Sequence, residues 1–263
     1  AYLELVKQLA PAYMRMGGTG EDALTYDLSS NAAAATPQRR SQTPARTAAI
    51  PDRVLTKGLW DEVNAFAAET GLEIVFGLNN FQGWADPGNE NHTKWDSSNA
   101  RSLIQYTLGM SYPVVGWELG NEPDLDNKNY HPGMNATILA AHFMQFFALL
   151  EQLYPGGTGH GTPSSPLIIG PDTTKGGAQL TADFLALLPA TGTSIGVQTW
   201  HQYYVAGPHS PVTAGRFTDP AFLDAYKKQA AAQVEAHRGY NKRRVDHGSG
   251  PVQLWMGETG GAG

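Results

Sequence analysis

The stretch Val114–Pro123, which reads VVGWELGNEP, decides the fold. It opens with apolar residues, as a buried strand does, and it ends in Asn-Glu-Pro. Proline removes a hydrogen bond from the strand ladder, so we expect the strand to stop there, with Glu122 at its carboxyl end. A carboxylate at the carboxyl end of a parallel strand is typical of a catalytic acid rather than of packing.

A second stretch of the same kind, Val252–Thr259 (VQLWMGET), carries Glu258 at its end. Hydrolysis of a glycosidic bond with retention of configuration uses two carboxyl groups about 5–5.5 Å apart. One of them is an acid and then a base, and the other is the nucleophile. The sequence therefore predicts that Glu122 and Glu258 face each other across a sugar. The alternative is that each glutamate is an ordinary surface or ion-paired residue.

Composition narrows the class of protein. A length of 263 residues suits one (β/α) barrel. A hydrophobic content of 41% and a charged content of 16% are those of a globular chain. The net charge of -6 disfavours nucleic acid as the main partner. No apolar run reaches 18 residues, so no transmembrane span is predicted, and cysteine is absent. No metal-ligand spacing is recognisable, so we expect no metal or other cofactor.

The patterns at both ends of the chain suggest that the sequence is cut there. Ala1 already lies inside a helical pattern, the chain stops shortly after Glu258, and no signal peptide is recognisable. We therefore expect a piece of a longer protein. Two N-glycosylation triplets, at Asn91 and Asn135, carry information only if the source is a secreting eukaryote.

Apolar periodicity predicts six strands, each preceded by a helix. The strands are expected near residues 12–16, 72–77, 114–122, 167–170, 196–200 and 252–259, and the helices near 3–9, 57–70, 97–108, 136–154, 178–188 and 220–238. Strongly apolar strands in steady alternation with helices indicate a parallel sheet covered by helices.

The helix periodicity also predicts which side chains face the core. These are Leu5, Val6 and Leu9 in the first helix, Leu59, Val63, Phe66 and Ala67 in the second, and Leu139, Phe143, Phe146, Phe147 and Leu150 in the fourth. Trp117 and Trp200 are expected to be packing residues in the barrel, and Trp95 is expected to anchor the start of the third helix.

Two segments lack periodicity. Residues 29–56 are rich in Ala, Thr, Pro, Ser and Arg, which predicts a mobile, linker-like loop within a single domain spanning residues 1–263. Its basic residues Arg39, Arg40 and Arg46 leave contact with an acidic substrate open. The glycines of Gly17–Gly20 fit a tight turn better than a phosphate cradle, because the full phosphate-binding spacing is absent.

Polar residues gather after the predicted strands, and parallel strands share one carboxyl-terminal face, so these side chains should converge. They include Arg15, Thr19, Asn79, Asn80, Asn121, Glu122, Asp172, His201, Tyr203 and Glu258. A doubly wound open sheet also gathers polar residues at one end, but the chain lacks a nucleotide-binding fingerprint. The fold class predicted is therefore α/β, a (β/α)8 TIM-barrel.

The ordered motifs resemble those of the heparanase-like glycoside hydrolases, a group of retaining β-glucuronidases and endo-β-glucuronidases. The matching blocks are residues 11–19 (PAYMRMGGT), 76–79 (FGLN), 95–100 (WDSSNA), 117–123 (WELGNEP), 170–172 (GPD), 199–204 (TWHQYY) and 257–259 (GET). The resemblance implies a (β/α)8 barrel with the acid/base on strand four and the nucleophile on strand seven. Glu122 and Glu258 match these positions. The chain would then hold strands two to seven, an incomplete barrel.

The resemblance assigns further roles around this pair. Asn121 is expected to donate to the sugar 2-hydroxyl, unless it caps its loop. Tyr203 is expected to hydrogen-bond the nucleophile, and His201 either orients these groups or is structural. Asp172 is expected to be structural or to support the site from behind. Glu118 is expected to support the site from behind or to be ion-paired. Other expected contacts with the substrate come from Thr19, Asn79 and Lys128.

The implied activity is hydrolysis of β-glucuronic acid linkages in a glycosaminoglycan or another glucuronide, by an endo or an exo mode. Relatives that cut heparan sulfate carry a basic run after Gly-Pro-Asp, where this chain has only Lys175, so a less sulfated substrate is equally expected. The alternatives are another barrel β-glycosidase, such as a β-glucanase, and a non-catalytic carbohydrate-binding relic. The resemblance also implies an extracellular or lysosomal or vacuolar location. Attachment to a membrane surface and the oligomeric state stay open.

Overall fold

The structure, a computed structural model, describes residues 2–29, 53–125, 133–205 and 214–261. The strands are β1 (Tyr13–Met16), β2 (Leu24–Asp27), β3 (Arg53–Thr56), β4 (Glu73–Leu78), β5 (Val114–Leu119), β6 (Leu167–Thr173), β7 (Val197–Val205) and β8 (Gln253–Gly261). The helices are α1 (Tyr2–Lys7), α2 (Lys57–Thr70), α3 (Ser98–Gly109), α4 (Ala136–Leu153), α5 (Ala178–Leu187) and α6 (Pro220–Asp246). Lys128 and most of the predicted loop lie outside the described residues.

The predicted alternation of helices and strands is confirmed. Each of β1, β4, β5, β6, β7 and β8 follows one helix in the chain. The predicted bounds were wrong in four strands and the last helix. β5 ends at Leu119, before Glu122, whereas β6, β7 and β8 continue beyond residues 170, 200 and 259. Asp172, His201 and Tyr203 therefore lie within strands and not after them. Helix α6 continues to Asp246, because Tyr240 buries its ring and gives the charged last turns an anchor.

The chain divides into two compact units, and the first comprises Ala1–Asn121 and Ala141–Ile169. In it β1 pairs with β4, β4 with β5, and β5 with the start of β6, all in parallel. All six residues of β5 are buried. The ring of Phe76 on β4 meets the rings of Trp60 and Trp117 edge to face, at centroid distances of 4.8 and 6.1 Å. This aromatic cluster fixes helix α2 against the sheet.

The short parallel pair β2–β3 was not predicted. Arg53–Thr56 form β3, so the predicted loop was wrong at its carboxyl end. Each strand has only four residues and is too short to show a period in the sequence. Asn99 at the start of α3 holds β2 in place: its side chain accepts from the backbone N–H of Tyr26 at 2.8 Å and donates to the carbonyl of Tyr26 at 2.8 Å.

The predicted core faces of the first two helices were partly wrong. Leu5 and Leu9 are 70% and 65% exposed, and only Val6 of that set is buried. In α2, Leu59 is 48% exposed, whereas its neighbour Trp60 is fully buried and donates from its indole nitrogen to Thr107 at 3.0 Å. The larger indole ring buries more apolar area than leucine, and this rotates the buried face of the helix by one residue.

The second unit comprises Glu122–Ala140 and Gly170–Gly263, and it contains β7 paired in parallel with β8. The register of this pair shifts twice, and the first shift lies in its middle. Trp200 lies opposite Met256, but His201 lies opposite Glu258, so Gly257 is an extra residue on β8. A bulge of this kind bends a strand and re-aims the side chains after it, and bulges concentrate beside active sites.

Among the described helices, α4 is long and apolar enough to cross a membrane by length and composition, with 18 residues and a mean hydropathy of 1.3. Half of it is buried inside the protein. The side chains predicted to face inward are at most 3% exposed: Leu139, Phe143, Phe146, Phe147 and Leu150. These are the features of a core helix, and they confirm the predicted inward face.

The two adjacent residues of α2 give a matched test of this packing. We expect Trp60→Ala to lower the free energy of unfolding by about 3–5 kcal/mol, because it empties a fully buried site and removes the hydrogen bond to the Thr107 hydroxyl. Leu59→Ala should cost about 0.5 kcal/mol or less, because that side chain is half exposed. Urea unfolding followed by tryptophan fluorescence and circular dichroism measures both changes. Equal losses would show that α2 presents a different face to the core.

Candidate active site

Glu122 lies three residues after the end of β5 and has an unusual backbone. Its φ is 48°, and the φ of Asp172 in β6 is 54°. These two left-handed residues contact each other, because the N–H of Glu122 donates to the carbonyl oxygen of Asp172 at 3.0 Å. A left-handed residue other than glycine costs roughly 1–3 kcal/mol, and such residues persist mainly where function requires their geometry. The backbone thus places two acidic side chains side by side in the second unit.

Glu258 is brought to the same place by the bulge in β8. Its carboxylate Oε2 accepts a hydrogen bond of 2.6 Å from the hydroxyl of Tyr203 on β7. Gly257, the residue before Glu258, is closely surrounded by other side chains. A Cβ at Gly257 would lie 3.1 Å from Asp172 Oδ1 and 3.3 Å from the Nε2 of His201. Gly257 is therefore the residue that lets the imidazole ring pass close to the β8 backbone.

His201 joins the three carboxyl groups. Its Nε2 lies 3.2 Å from Asp172 Oδ1, and its Nδ1 lies 3.0 Å from Glu122 Oε1 and 3.7 Å from Glu258 Oε2. The side chains of His201 and Asp172 are fully buried, whereas those of Glu122 and Glu258 are 17% and 22% exposed. The two glutamates are thus open to a ligand, and the histidine and the aspartate lie behind them.

The surroundings of His201 change its protonation. Burial disfavours the charged ring and by itself lowers the pKa. The hydrogen bonds to Asp172 and Glu122, together with the negative charges of Asp172 and Glu258, outweigh that effect. The pKa of His201 is raised from 6.5 to about 9. The imidazole is therefore a cation at neutral pH.

The carboxylate pair has the spacing of a particular reaction. One oxygen of Glu122, one oxygen of Glu258 and a ring nitrogen of His201 all lie within 4.8 Å of one another. Retaining glycosidases hold their carboxyl groups about 5–5.5 Å apart, whereas inverting enzymes need about 6.5–9.5 Å to admit a water molecule. The separation in this chain suits direct attack by one carboxylate on a sugar while the other transfers a proton.

The same three side chains have ligand types that could hold a metal ion. A metal needs the lone pair of a neutral imidazole. Both ring nitrogens of His201 instead contact carboxylate oxygens, and the raised pKa keeps a proton on each of them. Within the described part of the chain, this cluster is thus better suited to holding protons than to holding a metal ion.

The other residues predicted for the site have mixed environments. Asn121 is buried, with an exposure of 3%. Its Oδ1 has no hydrogen-bond partner among the described residues. Asn79 instead uses both ends of its side chain on backbone groups, accepting from Phe81 at 2.7 Å and donating to Leu24 at 3.0 Å. Thr19 is exposed in the loop after β1. Asn121 therefore keeps a buried polar atom that no described group uses.

Two buried features were missed or only partly predicted from the sequence. Glu118 pairs with Arg15 at 2.7 Å, which fits the ion-paired interpretation. Glu21 is 3% exposed, and its carboxylate lies against Gly77 so closely that a Cβ there would come within 1.9 Å of it. A glycine inside a buried strand is a sequence signal for such close approach, and Gly77 in β4 gave it.

The alternating parallel strands and helices are those of an incomplete (β/α)8 barrel, and the two glutamate carboxyl groups have the spacing found in retaining glycosidases. Residues 1–263 match the family described as glycosyl hydrolase family 79, N-terminal domain. The chain therefore belongs to that family, and the resemblance found in its motifs is confirmed.

Relatives of known name match nearly the whole chain. It is 27% identical to heparanase-like protein 3 of Arabidopsis thaliana and 27% identical to heparanase of Bos taurus, covering 98% of this chain and 44% and 49% of those proteins. It is 28% identical to baicalin-beta-D-glucuronidase of Scutellaria baicalensis, over 98% of this chain and 47% of that protein. The chain thus spans about half the length of these relatives.

Solved structures share the fold at low identity. A 4-O-alpha-L-rhamnosyl-beta-D-glucuronidase from Fusarium oxysporum superposes with a TM-score of 0.56 and 17% identity, over 99% of this chain and 49% of that one. A family 51 alpha-L-arabinofuranosidase from Bifidobacterium longum superposes with a TM-score of 0.53 and 14% identity, over 98% and 49%. At these identities the comparison establishes the fold.

The tight contact at Gly257 generates a test of the site's packing. Gly257→Ala should lower the free energy of unfolding by about 1–3 kcal/mol, because its methyl group presses on Asp172 and His201, which are buried and cannot move aside. Gly250→Ala is the matched control, since a Cβ there meets nothing within 4 Å. Thermal unfolding of both variants measures the difference. If the two alanines behave alike, the β8 backbone does not approach the imidazole this closely.

Proposed function

We propose that this chain carries the acid/base and the nucleophile of a retaining glycoside hydrolase that cleaves β-glucuronic acid linkages. The observation that supports this most is the placement of one oxygen each of Glu122 and Glu258 within 4.8 Å, both partly exposed. Two ionised glutamates so close repel each other, so this spacing favours one protonated and one ionised carboxyl group, which are the states that the reaction needs.

The roles of the two glutamates follow from their partners. Glu258 accepts a hydrogen bond from the hydroxyl of Tyr203, which stabilises the ionised form of Glu258 and fixes the position of one of its oxygens. We assign it as the nucleophile that attacks the anomeric carbon. Glu122 protonates the departing oxygen in the first step and takes a proton from water in the second. Asn121, with its free buried amide oxygen and its amide nitrogen, is assigned to the sugar hydroxyl next to the anomeric centre.

A glucuronide is the proposed substrate class for two reasons. Relatives along nearly the whole chain are named heparanases and a β-D-glucuronidase. In addition, the exposed Lys175 donates from its amine to the carbonyl of Tyr203 at 3.1 Å, which places a cation beside the residue that holds the nucleophile. A sugar carboxylate is a suitable partner for that charge. The choice between a glycosaminoglycan and a smaller glucuronide, and between endo and exo cleavage, stays open within this proposal.

The test is kinetic and uses the protein as its organism makes it. Aryl β-glucuronides with poor and good leaving groups should both be hydrolysed. Glu122→Gln should slow the poor substrate by about 10²–10⁴-fold and the good one much less, because a good leaving group departs without protonation. A glucuronic-acid-configured cyclophellitol-type trap should label Glu258, as peptide mass spectrometry would show. Matched aryl β-glucosides test the β-glucanase alternative.

Two outcomes oppose the proposal in different ways. Hydrolysis of β-glucosides but not of β-glucuronides would keep the mechanism and replace the substrate. Absence of both hydrolysis and labelling would identify a non-catalytic carbohydrate-binding protein.

We also propose an extracellular or lysosomal or vacuolar location. Asn91 and Asn135 of the two glycosylation triplets are both exposed, so each could carry a glycan. In a eukaryotic source, treatment of the natural protein with a peptide N-glycosidase should lower its mass and convert these residues to aspartate. Unchanged asparagines at both positions, in protein from a secreting cell, would argue for a location outside the secretory route.

A further inference from the structure

We infer that His201 is a fixed cation shared by the two proposed catalytic carboxylates, and that its hydrogen bond to Glu122 Oε1 confines the acid proton to Oε2. The inference rests on the proposed function for the roles of Glu122 and Glu258. The geometry that carries it is independent of any substrate. In this role His201 is a positioning residue, since it acts through the two glutamates.

The first step concerns the ring nitrogens. Nε2 lies 3.2 Å from Asp172 Oδ1, and Nδ1 lies 3.0 Å from Glu122 Oε1. Ionised carboxylates only accept hydrogen bonds, and a neutral imidazole donates from one nitrogen alone. Nε2 therefore carries a proton to donate to the ionised Asp172. Nδ1 carries one to donate to Glu122 when that group is ionised, and the negative charges of Asp172 and Glu258 favour keeping it there when Glu122 is protonated. The fully buried Asp172 carboxylate adds to this requirement, because a buried charge is stable only beside an opposite one.

The second step concerns what faces the ring. Asp172 comes from β6, Glu122 from the loop after β5, and Glu258 from β8, while Tyr203 on the ring's own strand bonds to Glu258. Gly257 leaves the space that the ring occupies. Three acidic groups around one imidazole favour its protonated form, and the raised pKa of His201 agrees with that expectation.

The third step concerns the proton of Glu122. An oxygen that accepts a hydrogen bond from a cation is a poor site for a proton of its own. With Oε1 occupied by His201, a protonated Glu122 carries its hydrogen on Oε2. The acid proton thus has one position in the free enzyme, instead of being divided between two oxygens.

The fourth step follows the charges through the proposed reaction. In the first half-reaction the Oε2 proton of Glu122 goes to the leaving oxygen, the glycosidic bond breaks, and a Glu258 oxygen bonds to the anomeric carbon. In the second half-reaction Glu122 takes a proton from water, the water oxygen bonds to that carbon, and Glu258 leaves as a carboxylate. The negative charge thus moves from Glu258 to Glu122 and back.

Nδ1 of His201 reaches both of these sites, at 3.7 Å from Glu258 Oε2 and 3.0 Å from Glu122 Oε1. His201 keeps its own protons throughout, and its charge stabilises whichever glutamate is ionised. A cation placed between the two sites serves both half-reactions without moving, which is electrostatic preorganisation.

The first test needs no activity. A histidine with a raised pKa contributes stability that is complete below its unfolded pKa of about 6.5 and disappears as the pH rises through about 9. The stability advantage of the natural protein over His201→Gln should therefore fall between pH 6.5 and 9, by up to tenfold in the folded-to-unfolded ratio per pH unit, or ~1.4 kcal/mol. Urea unfolding at several pH values measures it.

His142→Gln is the matched control. That histidine is also buried, but desolvation lowers its pKa to about 4, so it is neutral throughout this pH range. Its loss should have the same cost from pH 6.5 to 9. Because His201→Gln could fail to fold, the ring of His201 is also titrated in the natural protein by nitrogen NMR. Titration near pH 9 with both nitrogens protonated below it supports the inference, and titration near or below pH 6.5 overturns it.

The second test reads the positioning role by kinetics. His201→Gln keeps a neutral donor, and His201→Ala removes it. If the charge is what matters, both variants lose kcat by a similar factor, about 10²-fold or more, with little change in KM and a displaced basic limb of the pH profile. Recovery of natural kcat and an unchanged pH profile in His201→Gln would overturn the shared-cation role and leave a merely structural hydrogen bond.

The two tests separate this inference from the proposed function. If the natural protein cleaves no glycoside, the pH dependence of stability and the ring titration still decide whether His201 is a cation. If it cleaves glucuronides but His201 titrates as a neutral ring, the function stands and the inference fails.

Discussion

The buried charge of Asp172 is the constraint on which the second unit is arranged. Its side chain is fully buried, and a carboxylate removed from water needs an opposite charge in direct contact. His201 supplies that charge at 3.2 Å, and its ring is held at a fixed angle between β6 and β8 as a result. The other nitrogen then has one direction in which to donate, toward Glu122. The orientation of the proposed acid/base is therefore set by a residue that no substrate contacts.

Backbone geometry serves the same constraint. The left-handed conformations of Glu122 and Asp172 and the bulge at Gly257 are each unfavourable as local structure. Together they allow three acidic side chains to meet one imidazole, which regular strands with strict alternation would not permit. The cost of this arrangement is offset within the chain by regions without such strain. The aromatic cluster of Phe76, Trp60 and Trp117 in the first unit is an example of ordinary close packing.

The sequence predicted most of the helices and strands, but it predicted the shortest strands and the buried faces of the helices less well. Long apolar strands and a proline after Glu122 identified the acidic pair, because these signals reflect burial and chain termination, which are local properties. The two four-residue strands β2 and β3 were not predicted, because so few residues show no period. In α2, periodicity pointed to Leu59 instead of Trp60, since the position of the buried face depends on the partner ring and not on the helix alone.

The functional residues show the same division. Glu122, Glu258 and the bond from Tyr203 follow from motif and strand position, and the structure brings these three together. The role of His201 could not be predicted from its position, because the sequence does not show whether a histidine near a predicted strand end is neutral or charged. Its state is decided by Asp172, 29 positions away in the chain, and by the one glycine that leaves it room. In this site, then, sequence patterns identify the groups that are proposed to react, whereas the protonation of the groups around them depends on contacts between distant strands that only the folded chain creates.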